Sequence, residues 1–499
     1  MSTFKQKSLF AALAGLGVLG VVDSAQAVHM NMDGLGQALV YPYYTARSSA
    51  NNNAYVTALS VVNTTASAKA VKVRFLEGKN SKEVLDFNLF LSQYDVWTAG
   101  IVAAGAGAGV FTADNSCTTP AVSKNPANPT RFRNGAYAGD GGGDTLDRTY
   151  EGYFEILEMG AIVGGSSLET SVTHSSDFSG FNTSKPACTG LPVTDAFPSA
   201  ITSPSGGLMG AASLINVNEG TDYSYDAIAL DGWSVAPQWS GPGTVTPTIA
   251  SAAPFISVVI DNTSSGGRAV RTTWNNGRDA VTATMMRSHV YNEYTVEAGI
   301  KSATDWVVTM PTKRFYVSSG TGNASPPFQS NFRSTGSCDN ISLTYYDREE
   351  QSPGAIIDFS PTTPESRSLC WEANVLTFST GGATPAVSNV LHSTNYASVA
   401  LGATWQNGWA DLSFPLSSGY TGSHSLAAPN ASTVIIDINS GVVTSGTNQT
   451  YFGLPVVGFA VQSFTNGALA GATGPVLSNY GGNFNHKYLR DIRSGIVAQ

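Results

Sequence analysis

The chain has 499 residues, of which 42% are hydrophobic, 10% aromatic and only 12% charged, with a formal net charge of −9. That apolar content excludes intrinsic disorder and supplies one large core or two ordinary ones. Nucleic acid is excluded as a partner, because a polyanion needs clustered cations and here the densest groups, Lys69, Lys72, Arg74 and Lys79, Lys82, lie around one predicted hairpin and read as solvated strand edges.

Residues 1–27 read as a signal peptide. Lys5 and Lys7 make a basic start, Leu9 to Val22 is a mostly apolar run too short to span a bilayer, and Ala25-Gln26-Ala27 is an A-x-A cleavage site. The mature chain then begins near Val28, one charge unit more negative, in an extracellular or cell-surface location with the periplasm as the alternative. No later apolar run approaches ~18 residues, so no membrane span is expected after cleavage.

Strand signals follow at once. Gly36 to Thr45 is an apolar and aromatic run interrupted by Pro42, which cannot donate to a ladder and predicts an edge or a bulge. Tyr55 to Asn63 is apolar on both sides. Ala70 to Leu76 alternates cleanly, with Val71, Val73 and Phe75 inward and Lys72 and Arg74 outward, and Val84 to Leu91 repeats the pattern with Leu85, Phe87 and Leu89 inward. On this assignment Val73→Asp costs several kcal/mol and Lys72→Asp little. With a further strand starting at Asp95, the spacing predicts an immunoglobulin-like β-sandwich.

Cys117 to Thr149 is a Pro- and Gly-rich segment predicted as a surface loop, and Tyr150 to Met159 returns to strand. Leu208 to Leu230 reads as a hairpin around Asn218-Glu219-Gly220-Thr221. One stretch, Arg278 to Tyr291, reads as helix, with Asp279 in its first turn. Strands are expected within Asp305 to Val317, Ile341 to Tyr346, Ala373 to Phe378, Leu454 to Phe464 and Asn479 to Arg490. The predicted class is all-β, with immunoglobulin-like sandwich elements, long loops and one short helix. An N-terminal β-sandwich region (28–200) and a C-terminal β-rich region (201–499) are expected, and no linker prevents them from being one continuous module.

Four cysteines remain after the leader: Cys117, Cys188, Cys338 and Cys370. Export makes disulfides the default, and of the three connectivities the sequential one closes the shortest loops, each bridge contributing roughly 3–4.5 kcal/mol on loop entropy. No CxxC spacing occurs, which removes a zinc ribbon and a thioredoxin-like pair.

Several blocks are distinctive: GLGQALVYPYYT at Gly34, NTTASAKAVKVRFLEGKNSKEVLDFNLFLS at Asn63, DWVVTMPTKRFYV at Asp305, CDNISLTYYDREE at Cys338, LCWEANVLTF at Leu369 and the terminal NYGGNFNHKYLRDI. They resemble a family of exported, uncharacterised proteins of Gram-negative bacteria, some described as cell-surface proteins. The resemblance runs nearly end to end. It implies a surface or extracellular setting and brings no site residues with it.

Candidate chemistry is sparse. The six histidines lie far apart without metal-ligand spacing, and no nucleophile elbow, P-loop or dinucleotide fingerprint occurs. Glu151 and Glu155 share one strand face, an arrangement that serves glycosidic acid–base work when it lines a cleft and otherwise reads as exposed strand carboxylates. Asp140, Asp144 and Asp147 place three hard oxygen ligands in a Gly-rich loop, which suits Ca²⁺ although the spacing matches no EF-hand; no other cofactor is expected. Trp405 and Trp409 flank Asn407-Gly408, which reads as a hairpin tip presenting both rings on one side as a sugar-stacking platform. The functional expectation is an exported surface-layer-like or matrix protein that self-assembles or binds surface glycans, with no enzymatic turnover; the alternative is a secreted carbohydrate-binding or carbohydrate-active protein. An outer-membrane barrel fits poorly with a chain whose last strand signal is the charged HKYLRDIR.

Overall fold

A computed structural model describes residues 27–48, 54–176, 183–261, 267–320, 322–352, 368–381, 385–414, 416, 423–466, 468–471 and 474–495. The leader read at 1–27 lies outside the described residues apart from Ala27. With 48% of the described residues in strands and 7% in helices, the fold is all-β and sandwich-like.

Two antiparallel sheets carry most of residues 28–231. A seven-stranded sheet runs His29–Met30, Ile228–Asp231, Ala38–Thr45, Glu151–Ala161, Lys69–Glu77, Glu83–Leu91, Cys117–Thr119. A six-stranded sheet runs Thr221–Asp226, Leu208–Asn216, Val56–Asn63, Val96–Ala104, Gly107–Phe111, Thr130–Arg131. The hairpin expected at 208–230 is present, and its strands complete both sheets, so the sheets run on across residue 200 without a break there. The two sheets face each other across a core that includes Leu39, Tyr41, Val71, Val73, Phe75, Phe87, Leu89, Phe154 and Ile156 on one side and Leu59, Val61, Trp97, Ile101, Val110 and Leu214 on the other. Alternation alone places these side chains, because a period of two sends every second residue to one face. Pro42 sits in a bulge rather than at an edge: Pro42 and Tyr43 together oppose Tyr153, between the Tyr44–Gly152 and Tyr41–Phe154 pairs.

The C-terminal half adds two further layers. A five-stranded sheet, Tyr396–Ala400, Ala373–Ser379, Ser302–Thr309, Val457–Phe464, Tyr480–Asn485, is buried on both faces along its three central strands. Val307, Val375, Phe459 and Val461 enter the first core, while Trp306, Val308, Leu376, Phe378 and Ala460 enter a second. Packed against that second core is a four-stranded sheet, Ser342–Asp347, Asn407–Ser413, His289–Thr295, Lys487–Leu489, through Leu343, Tyr345, Ala410, Leu412, Val290 and Tyr294. Its opposite face is open.

The helix expected over 278–291 is shorter. It spans Gly277–Met285, with the Asn276 side chain accepting from Asp279 N–H, and the chain from His289 is strand, where His-Val-Tyr suits a pleated surface better than a helix. A second short helix, Ser167–Val172, begins at Ser166, whose side chain accepts from Glu169 N–H. Ser166-x-x-Glu169 is the sequence signal for it. Both disulfides have the sequential connectivity, Cys117–Cys188 and Cys338–Cys370.

The expectation of solvated strand edges around Lys72 and Arg74 is overturned. Lys72 and Arg74 do point away from the first core, but that face does not meet water. Lys72 and Arg74 are 0% and 2% exposed, Lys72 Nζ lies 2.6 Å from Asp86 and donates to Gly241 O, and Arg74 pairs with Glu83 and Glu155. Alternation states which way a side chain points and says nothing of what later covers it. Lys72→Asp therefore places a carboxylate against buried Asp86, and we expect it to lower the unfolding free energy by about 3–5 kcal/mol, as much as Val73→Asp. The double variant Lys72→Met/Asp86→Leu should recover most of that loss in urea melts, since removing both charges leaves neither stranded.

Candidate functional site

The open face of the four-stranded sheet carries the most distinctive surface chemistry. Register pairs Trp409 with Tyr346 on one side and Glu293 on the other, and Asp411 with Thr344 and Tyr291. Trp409 is 41% exposed and stacks on Tyr346 with centroids 4.4 Å apart and planes 15° apart. Tyr291 lies 6.2 Å beyond Trp409, and His289 stacks on Tyr291 at 5.9 Å. The result is an aromatic ladder across three strands, edged by the exposed Glu293 and Lys487 and by Asp411. His289 Nδ1 sits 2.9 Å from Asp411, and that hydrogen bond holds the imidazole pKa above its ordinary value against the opposing effect of burial. Cross-strand pairs of this kind contribute roughly 0.2–1 kcal/mol each.

Trp405 does not share the ladder. Its ring meets Tyr345 edge-on at 5.0 Å and packs against the second core, because Asn407-Gly408 opens a central strand instead of forming a hairpin tip. Gly408 is required there: a Cβ would lie 1.8 Å from Tyr346 O. Tyr291, Tyr346 and Asp411 are not singled out by sequence reasoning. The outward alternation of His289, Tyr291 and Glu293 is legible, but not the pairing with a strand more than a hundred residues later.

Glu151 and Glu155 are both sealed inside, 0% exposed. Glu151 accepts from Tyr43 Oη at 2.8 Å, Arg47 Nε at 3.1 Å, Ser393 Oγ at 2.5 Å, and Thr394 N–H and Oγ1 at 3.1 and 2.8 Å. Glu155 meets Arg74 and Arg314 and accepts from Ile249 N–H. They read as exposed strand carboxylates from sequence; the C-terminal half covers them.

The three loop aspartates diverge. Asp140 takes a two-pronged contact from Arg148 and accepts from Asn80 and Gly142 N–H, which outweigh burial and hold its pKa below the ordinary value. Asp144 accepts from Gly139 N–H, and Asp147 pairs with Arg47. Among the described residues no group of three or more His, Cys, Asp or Glu converges as a metal site. A depression of about 440 Å³ on the outer face of the six-stranded sheet is lined by small and apolar side chains such as Ala58, Ser60, Gly100, Ala211 and Ser213, with no carboxylate or histidine.

Compared with protein-family models, curated proteins and solved structures, the chain matches none.

Burial raises the Glu151 pKa, but Arg47 and the hydroxyl donors outweigh it and hold the carboxyl below its ordinary value of 4.5. A depressed folded pKa means that the ionised form stabilises the fold fully above the ordinary value and that this contribution is lost as pH falls through the lower folded value. Glu151→Gln should therefore cost about 1–3 kcal/mol at neutral pH, because Arg47 loses its buried partner and keeps only the more exposed Asp147. In urea melts from neutral to acid pH, the gap between parent and variant should narrow only below the ordinary carboxylate range.

Proposed function

We propose that this is an exported cell-surface or extracellular protein of a Gram-negative bacterium that acts by binding and assembly rather than by turnover, with immunoglobulin-like sandwich elements as its scaffold. The Tyr346–Trp409–Tyr291 face is its contact with surface glycans. The observation that carries the reading is this exposed ladder beside Glu293 and Asp411. Flat rings take the apolar C–H faces of pyranoses, and carboxylates accept hydroxyl protons. Stacking on Tyr346 covers one face of the Trp409 indole, and the rest of the ring stays available. Export is supported by the leader pattern, by two disulfides and by the resemblance to exported proteins. The sealing of Glu151 and Glu155 keeps that carboxylate pair from reaching a glycan.

Binding of purified protein to a glycan panel tests the reading. Trp409→Ala and Tyr346→Ala should each weaken binding at least tenfold while shifting the unfolding free energy by no more than about 1 kcal/mol, the worth of a cross-strand pair. Unchanged glycan binding in both variants would sink the assignment of this face.

A specific observation favours self-assembly as a second reading. Strand Val443–Thr447 is the outer strand of a four-stranded sheet with Thr433–Asp437, Arg268–Thr273 and Ile256–Asp261, is largely exposed and contains neither Lys nor Pro. An unguarded edge offers its N–H and C=O row to another chain. If it mediates assembly, Thr444→Pro should leave a monomer in sedimentation under conditions where the parent forms larger species; assembly persisting in the variant would clear this edge of the role.

A further inference from the structure

The six-stranded sheet buries one face in the first core, and its other face remains open: along strand Val56–Asn63 every second side chain, Val56, Ala58, Ser60 and Val62, is only partly covered. Register sets the outward side chains in rows that cross the sheet. One row reads Asp222, Ile215, Val56, Val102, Gly109, Arg131, because Ile215 pairs with Asp222 and Val56, Gly109 pairs with Val102 and Arg131, and the Thr57–Ile101 pair sets Val56 beside Val102. The next row reads Ser224, Ser213, Ala58, Gly100, Phe111. Towards the other end of the face Val62 pairs with Met209 and Val96, which are 44% and 46% exposed.

Asp222 and Arg131 stand at opposite edges of the sheet, five strand spacings or about 24 Å apart, too far to meet within one copy. Both are exposed, and neither has an ion-pair partner among the described residues. The four strands between them put no charge on this face. Such a row is self-complementary. Face-to-face sheets keep their strands nearly aligned, and a two-fold axis along the strands, between Val56 and Val102, lays each row on itself in reverse. Asp222 then faces Arg131 of a second copy at one edge, and Arg131 faces its Asp222 at the other. Val56 meets Val102, Val62 meets Val96, and Ile215 meets Gly109 with the Pro129 ring beside it. The Phe111 ring, which lies over Gly100 of its own chain, falls on Ala58 and Ser213 of the second copy, in the depression of about 440 Å³ that those small side chains leave. An axis across the strands would instead stack the acidic edge, with Asp222 and Asp226, on itself, so charge selects the first arrangement.

We infer that two copies of this chain associate face to face through the outer side of the six-stranded sheet, with reciprocal Asp222–Arg131 pairs at the rim and Val56, Val62, Val96, Val102 and Phe111 in the centre. The face measures about 24 by 20 Å, which gives about 1,000 Å² for the two copies together, the lower bound of a specific interface. The contact is isologous and closes at two copies. It shares no residue with the aromatic ladder or with the edge strand Val443–Thr447, and it rests on neither of those readings.

Sedimentation equilibrium of the full mature chain and its charge-reversed variants tests this. The parent should dimerise. Asp222→Arg and Arg131→Asp should each weaken the dimer by about tenfold or more, because both rim contacts then set like charges together. An equimolar mixture of the two variants should recover a mixed dimer, in which each rim contact is again between opposite charges, and the double variant Asp222→Arg/Arg131→Asp should recover its own. Recovery of either kind requires contact between copies and shows that the single variants are folded. A parent that sediments as a monomer at every concentration up to its solubility would overturn the inference, as would reversals that weaken the dimer without recovery in the mixture. Thr444→Pro, which blocks edge pairing, should dimerise like the parent; a dimer lost in that variant and indifferent to both reversals would assign association to the edge instead.

Discussion

The carboxylates of strand Glu151–Ala161 hold the two halves of the chain to each other. Glu155 pairs with Arg74 from its own sheet and with Arg314, 159 residues away. Glu151 pairs with Arg47 and accepts from Ser393 and Thr394, more than 240 residues away. Glu158 takes Lys69 and the backbone N–H groups of Ser205 and Gly206. A buried ion pair adds little against an apolar pair of the same shape, but losing one partner strands a charge in a low dielectric. The N-terminal sandwich therefore cannot reach its final state before the C-terminal segments arrive. Such non-local closure implies slow folding relative to a helical protein of similar size.

How much of this is legible in the sequence depends on the range of the cause. Strand existence follows from local alternation, and the strands at 56–63, 69–77, 83–91 and 151–161 fall where the period of two places them. The disulfide pairing follows from loop length. Burial of Lys72, Arg74, Glu151 and Glu155 is not legible, because their cover comes from residues 195–314 and 393–394, and no local pattern states which distant segment packs on a sheet face. The pairing of Trp405 with Trp409 fails for a related reason. Asn-Gly is a turn signal only when its flanking runs pair with each other, and here strand Asn407–Ser413 pairs with His289–Thr295 and Ser342–Asp347 instead.

The four-stranded sheet shows how stability and surface chemistry are separated within one element. Val290, Tyr294, Leu343, Ala410 and Leu412 are 0–2% exposed and pack on the five-stranded sheet. The residues between them, Tyr291, Glu293, Trp409 and Asp411, contribute at most the cross-strand terms of the ladder. Substitutions on the outer face are thus free to change what the sheet touches without changing whether it forms. The same alternation applied to strand Lys69–Glu77 gives no such freedom, because both of its faces are covered.

Buried charge also settles a choice that hydrophobicity leaves open. A slip of two residues between strands Lys69–Glu77 and Glu151–Ala161 would keep Val71, Val73 and Phe75 on the same face, so the first core alone does not select the register. In the observed register Arg74 lies directly opposite Glu155, and on its other side opposite Asp86. A two-residue slip would set Arg74 against Tyr153, with Lys72 opposite Glu155, or against Leu157, with Leu76 opposite Glu155, and in either case Arg74 loses its cross-strand carboxylate on this strand. Stranding a buried charge costs about 3–5 kcal/mol, a large fraction of a typical domain's net stability. The apolar alternation therefore determines which face is inward, and the paired charges on the reverse face determine which residues stand opposite one another.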